Sequence, residues 1–296
     1  MSNAHDLQIV KALPQLKPRA ADSHKGDFGR VLIIAGSRGM AGAAALAGAS
    51  ALRSGAGLVR IASPSEVQPT VASFEPSYMT WPLAQDDLGQ IDFEKARPDL
   101  ERLVSQSDVI AVGPGLGLSD SLDRLISWLF SHVQTPLLVD ADALNSLATQ
   151  PGILNSRSGP TILTPHPGEF ARLTGVSVQE IQGDRVEHAA KLARKGKNLV
   201  VVLKGQGTVV TDGQHAYING SGNPGMATGG SGDCLTGVIA ALAGQGLTPF
   251  DAAVLGTYAH GMAGDIARDQ SGMVGMIAGD IVDGLADVFF HIGNEG

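Results

Sequence analysis

The feature of the sequence that most restricts its fold is a series of short apolar runs, at residues 31–35, 58–62, 109–112, 137–139, 161–163 and 199–203. They are rich in Val, Ile and Leu and lack polar alternation, so each suits a strand buried on both faces of a parallel sheet. Between them the spacing predicts helices over residues 41–54, 93–106, 119–131 and 178–195. That alternation points to an α/β layered domain, a mainly parallel central sheet with helices on both faces. After Leu203 the pattern changes. VVLKGQGTVVTDGQHAYING reads as strand, turn and strand, an Asp212-Gly213 turn and a returning strand, which is an antiparallel sheet edge. Three helices, over residues 233–243, 249–269 and 278–290, are expected to finish the chain. No Ser/Pro linker, charge run or repeat divides it, so one domain over residues 1–296 is expected, with residues 1–23 as an N-terminal arm.

Composition narrows the partners. A net charge of −8 lacks the positive field that favours DNA, RNA or anionic lipid. Cys234 is the only cysteine, so no internal disulfide forms and a reducing compartment is the simplest setting. The N-terminus lacks the basic start and apolar core of a signal peptide, and the longest apolar stretches, such as residues 237–244, fall short of the roughly 18 residues that span a bilayer. A soluble cytoplasmic protein with no nucleic-acid or membrane partner is expected.

The 39 glycines are roughly twice the usual share, and they cluster. The densest cluster is NPGMATGGSGDCLTG, residues 223–237. Gly229, Gly230 and Gly232, with Ser231 among them, let the backbone turn its N–H groups toward one point, and the following helix adds its positive end; the result is an anion hole suited to phosphate. Asp233 then sits in the first helical turn, where its carboxylate can accept a proton from a hydroxyl attacking phosphorus. The plain alternative is an acid that merely favours the helix dipole, but the four glycines in the eight residues before it favour the catalytic reading. The same dipole is expected to keep Asp233 ionised.

Four other segments carry weaker signals. LKGQGTVV places Lys204, Gly205, Gln206, Gly207 and Thr208 at a strand end, as charge and close backbone approach for a polyphosphate or as an ordinary solvated hairpin. Gly113-Pro-Gly-Leu-Gly117 follows a strand where open parallel sheets bind ligands, or is a tight βα turn. In TPHPGEF two prolines hold His166 three residues before Glu169, as a ligand contact or a structural hydrogen-bonding group. Asp140 and Asp142 end another strand, as a lean for Mg²⁺ or as helix caps. The small residues after Gly36 suit close helix packing, and the turn from Gly36 to Gly42 invites a ligand. There is no G-x-x-x-x-G-K-[ST] loop, H-E-x-x-H helix or G-x-S-x-G elbow, and the G-x-G-x-x-G at residues 220–225 lies too late in the chain to be a dinucleotide fingerprint.

Taken in order, GSRGMAGAAALAGASALRSGAGLVRIASP, VGPGLG, VDADALN, LTPHPGEFARLTG, LKGQGTVVTDG and NPGMATGGSGDCLTG resemble the ADP- or ATP-dependent NAD(P)H-hydrate dehydratases, from Lys25 to about Asp280. Ser231 stands where threonine is more usual in that family, and Cys234 where a branched aliphatic residue is expected. The resemblance implies a ribokinase-like fold and a repair reaction on NADH hydrate and NADPH hydrate. The hydroxyl added across the nicotinamide 5,6 double bond would be phosphorylated and phosphate then lost. It implies Asp233 as catalytic base, Gly229 to Gly232 as anion hole, Lys204 to Thr208 as the adenine-nucleotide phosphate contact, and Ala43, Gly115 and His166 lining the hydrate pocket. It also implies Mg²⁺, a homo-oligomer and no room for the epimerase domain that many relatives carry. ADP is expected over ATP, because LKGQGTVVTDG adds no further basic residue for a third phosphate. The runner-up is a hydroxymethylpyrimidine or thiazole kinase type, whose phosphorylated product is released.

Overall fold

The computed structural model of the chain describes residues 7–294. Its strands are β1 Gln8–Ile9, β2 Arg30–Ile34, β3 Leu58–Pro64, β4 Met79–Leu83, β5 Val109–Val112, β6 Leu137–Val139, β7 Thr161–Leu163, β8 Leu199–Leu203, β9 Val209–Thr211 and β10 His215–Ile218. Its α-helices are α1 Ala41–Arg53, α2 Gln68–Phe74, α3 Phe93–Ser105, α4 Asp120–His132, α5 Ala141–Ala148, α6 Ile153–Ser156, α7 Pro167–Thr174, α8 Val178–Gly183, α9 Arg185–Ala193, α10 Ser231–Gly244, α11 Pro249–Gly275 and α12 Ala278–Asn294. Residues 1–6 of the expected arm lie outside the described residues; farther along it, β1 pairs parallel with β10.

All the strands form one sheet in the order β1-β10-β9-β8-β7-β6-β5-β2-β3-β4. From β8 through β4 every pairing is parallel, while β8 with β9 and β9 with β10 are antiparallel, so the expected α/β class and its antiparallel edge both hold. Each of the six predicted apolar runs overlaps a strand, four of them matching it residue for residue, because both faces are covered. Val31 and Ile33, Val109 and Ala111, and Val200 and Val202 pack toward α1, α10, α11 and α12. Their neighbours Leu32 and Ile34, Ile110 and Val112, and Val201 and Leu203 join the core under α3, α4 and α9.

The structure differs from the expected elements in places with local causes. The helix expected at 178–195 is two helices, because Asp184 leaves the helical conformation and its carboxylate caps α9 by accepting from the Glu187 amide. Helix α10 starts at Ser231, two residues early, and α11 continues to Gly275 through a break at Gly272 (φ 71°). Strand β4 carries no continuous apolar run: it lies at the sheet edge, half exposed, with Pro82 inside it.

Two features of this fold place a site. The chain lays β3 and β4 to one side of β2 and β5 through β8 to the other, so a crevice opens beyond the carboxyl ends of β2 and β5, where such sheets bind ligands. The Gly36 amide donates to the Pro114 carbonyl across it (2.8 Å). The small-residue helix α1 packs directly on α10: a Cβ at Gly237 would lie 2.0 Å from the Ala47 carbonyl oxygen, so glycine there permits backbone contact and fixes the α10 N-terminus beside the crevice. No helix among the described residues is long and apolar enough to cross a membrane.

Candidate active site

The α10 N-terminus is shaped by glycine. Gly230 has φ 91°, and a Cβ there would meet Leu46 Cδ1 at 2.5 Å, so the turn admits no side chain. No side chain caps the helix, which leaves the positive end of α10 facing the crevice. Behind it the buried His260 bonds the Ser231 carbonyl through Nε2 (2.9 Å), and burial pushes its pKa down to about 4, so it is a neutral donor. A Cβ at Gly232 would lie 3.4 Å from Lys204 Nζ, which puts the ammonium beside the first turn of the helix. Cys234 faces inward, its thiol pushed up to about 12 by burial and hence inert.

Lys204 follows β8 directly and lies among three carboxylates. Its Nζ lies 2.7 Å from Asp140 Oδ1 and 3.9 Å from Glu169 Oε2, and it also feels Asp233. Although burial opposes it, Asp140 and Glu169 hold this ammonium above its usual pKa. Asp140 is 1% exposed and fully engaged: Thr164 Oγ1 (2.7 Å) and Lys204 donate to Oδ1, and Thr236 Oγ1 of α10 donates to Oδ2 (2.8 Å). It therefore does not cap α5 through its side chain. The following residue, Ala141, adopts φ 50°, a left-handed conformation costing an L-residue about 1 kcal/mol. Such strain persists where surrounding contacts impose it, here the network around Asp140.

Asp233 departs from the expected ionised acid. Burial, reinforced by Asp140, pushes its carboxyl up to about 7, so desolvation outweighs the helix dipole. Glu169 is also buried and is pushed to about 7 by burial, with Lys204 pulling the other way. One ammonium thus lies among Asp140, Glu169 and Asp233, and when all three acids are ionised they outnumber it, a charge that a divalent cation arriving with phosphates would offset. Among the described residues no ready cage of three or more His, Cys, Asp or Glu exists, and the side chains of Asp140 and Asp142 already accept hydrogen bonds, Asp142 from the Gly117 amide (2.9 Å).

The other sequence-selected residues fall around this centre. His166 is the N-cap of α7: its Nδ1 accepts from the Gly168 (2.9 Å) and Glu169 (3.3 Å) amides, and Glu169 Oε2 accepts from the His166 amide (2.8 Å). With Nδ1 an acceptor, Nε2 carries the proton, and burial and Lys204 lower the ring's pKa, so the half-exposed imidazole is a neutral donor. Gly115 (φ 61°) abuts α1, where a Cβ would sit 2.9 Å from Met40 Cβ and 3.1 Å from Ala43 Cβ. Ser37 Oγ donates to the Gly115 carbonyl (2.8 Å). Gly205 to Thr208 close into a turn in which Thr208 Oγ1 donates to the Gly205 carbonyl (2.9 Å).

Sequence reasoning missed Thr164, Thr236, His260 and Arg185. Only Thr236, three residues after Asp233 and so on the same side of α10, offered a positional signal. Arg185 lies nineteen positions before Lys204, outside any motif, yet it reaches the Lys204 carbonyl.

A family model described as NAD(P)H-hydrate dehydratase matches residues 31–286. The chain is 50% identical over 283 residues to the bifunctional NAD(P)H-hydrate repair enzyme Nnr of Moorella thermoacetica, an overlap of 95% of this chain and 53% of that protein. It is 38% identical to the ADP-dependent (S)-NAD(P)H-hydrate dehydratase of Neisseria meningitidis, covering 93% of this chain and 90% of that one. The crystal structure of the ADP/ATP-dependent NAD(P)H-hydrate dehydratase from Bacillus subtilis, co-crystallized with ATP and Mg²⁺, matches with a TM-score of 0.79 at 33% identity over 94% of this chain and 95% of that one. The chain spans about half the length of the bifunctional relatives it matches.

Proposed function

The chain belongs to the NAD(P)H-hydrate dehydratase family, with a ribokinase-like fold, and we propose that it uses ADP to dehydrate NADH hydrate and NADPH hydrate, releasing AMP and phosphate. Hydroxide leaves carbon poorly. Phosphorylating the hydroxyl on the hydrated ring replaces it with a far better leaving group; the ring-nitrogen lone pair expels phosphate, and loss of the neighbouring ring proton restores the double bond. Nothing is oxidised or reduced.

The observation that carries this reading is the placement of Asp233 in the first turn of α10, beside the Lys204 ammonium, with a pKa near 7. A base so poised takes the hydroxyl proton as the oxygen attacks phosphorus. The Gly229 to Gly232 backbone and Lys204 stabilise charge on the transferring phosphoryl group, and Gly205 to Thr208 hold the remaining nucleotide phosphates. Mg²⁺ arriving with the nucleotide phosphates would supply further charge neutralisation, and Asp233 and Glu169 are the carboxylates that would face it. Ala43, Gly115 and the His166 Nε2–H line the hydrate pocket, the first two leaving room for a flat ring and the third donating to one of its polar groups. The single buried thiol and a dependence on adenine nucleotide suit a cytoplasmic setting.

The test is incubation with chemically prepared NADH hydrate, Mg²⁺ and either ADP or ATP, following the near-ultraviolet absorbance of the dihydronicotinamide. Absorbance returns with a larger kcat/KM for ADP. A stable phosphorylated product without absorbance recovery would identify a small-molecule kinase instead.

A further inference from the structure

Several arginines have no ion pair among the described residues, and of these Arg185 is the one that holds the Lys204 carbonyl at the phosphate-binding loop. Arg38 pairs with Glu66, Arg97 with Glu101, Arg102 with Asp99, Arg194 with Glu187 and Arg268 with Asp265. Arg185 has no carboxylate partner among the described residues. Its Nη2 donates to the Leu203 (2.8 Å) and Lys204 (3.2 Å) carbonyls, its Nη1 donates to Gln182 Oε1 (3.1 Å), and its buried Nε–H has no partner. The guanidinium also fills the space a side chain at position 205 would need: a Cβ on Gly205 (φ 137°) would lie 2.9 Å from Nη1.

We infer that Arg185 is a positioning residue that fixes the phosphate-binding loop and makes it select a nucleoside diphosphate over a monophosphate. The carbonyl of Lys204 and the amide of Gly205 belong to one planar peptide and point in opposite directions, so pinning the carbonyl aims the amide into the loop. The same grip sets the direction in which Lys204 leaves β8. The guanidinium charge, which no carboxylate cancels, adds a positive field at the loop that grows in value with the number of phosphate charges bound there. The fork holds two carbonyls through Nη2 and Gln182 through Nη1 at once, a span that a single ammonium cannot cover, whereas lysine keeps the charge.

This inference rests on the loop's binding adenine nucleotide, so binding and turnover are measured separately. Calorimetric affinities for ADP and AMP are compared in the intact chain and in Arg185→Lys and Arg185→Met, together with melting temperature and KM for NADH hydrate. The expected result is a loss of ADP affinity of about tenfold or more in Arg185→Met, a smaller loss in Arg185→Lys, and less effect on AMP than on ADP in both. The melting temperature and the hydrate KM stay close to those of the parent chain. Unchanged ADP affinity in a folded Arg185→Met variant, or equal losses for ADP, AMP and hydrate alongside a lowered melting temperature, would overturn it. A parent chain that binds ADP without dehydrating the hydrate leaves this inference standing and removes the proposed reaction; one that binds no adenine nucleotide removes both.

Discussion

Lys204 Nζ lies 2.7 Å from Asp140 Oδ1, and the other oxygen of that carboxylate accepts from Thr236 on the helix that carries Asp233. One buried carboxylate thereby ties the ends of β6 and β8 to the first turns of α10. The ammonium is held next to the glycine turn before any ligand arrives, so little reorganisation is needed when phosphate charge develops.

Removing Asp140 leaves Lys204 as a largely buried cation without its nearest counter-charge. Asp140→Ala is expected to cost roughly 3 kcal/mol in chemical denaturation, the usual result of breaking a buried pair from one side. Adding Lys204→Met to it is expected to recover part of the loss, since the orphaned charge is gone. Strictly additive losses in the double-mutant cycle would show that the pair is not coupled.

Asp233→Asn preserves shape and removes basicity, so kcat is expected to fall by roughly a hundredfold or more while ADP affinity survives. Because burial raises Asp233 from an ordinary acid to about 7, the base is ionised above that pH and protonated below it. Activity therefore falls as pH drops through about 7. Glu169 also titrates near 7, so the assignment needs Glu169→Gln, in which the acid limb of kcat/KM persists. Loss of the limb in that variant, or near-normal turnover in Asp233→Asn, would move the base elsewhere.

His166 has two tasks that alanine would confound. It caps α7 through Nδ1, and in the proposed reading its Nε2–H, 3.5 Å from Glu169 Oε1, donates to the hydrate. Asparagine is a strong N-cap, so His166→Asn keeps the helix end while deleting the donor, whereas His166→Ala loses about 1 kcal/mol of stability as well. Both variants are expected to raise KM for the hydrate with ADP affinity nearly unchanged. An Asn variant with the parent KM would assign His166 to helix capping alone.

Much of the architecture was legible because strands buried on both faces must be uniformly apolar, as at β2 and β8. The edge strand β4 was not, since its half-exposed MTWPL obeys no such constraint. The glycine turn and Asp233 could be read as an anion hole because their chemistry is local in sequence. The network that anchors Lys204 through Asp140 could not: Asp140, Thr164 and Thr236 meet only when β6, β7 and α10 converge, and each resembles an ordinary strand-end or helix residue. The ionisation of Asp233 was misjudged for a related reason, since burial depends on neighbours distant in sequence, while the dipole is visible in the helix itself.

The central claim is that the hydrate's own hydroxyl is phosphorylated before it leaves. NADH hydrate prepared with heavy oxygen in that hydroxyl, turned over with unlabelled ADP and Mg²⁺ in ordinary water, tests it through the mass of the released phosphate. The account predicts one heavy oxygen per phosphate, formed in step with recovered NADH and AMP, because the carbon–oxygen bond breaks while the oxygen–phosphorus bond remains. Unlabelled phosphate accompanying NADH recovery would contradict it, showing that water is lost directly and the nucleotide is hydrolysed separately.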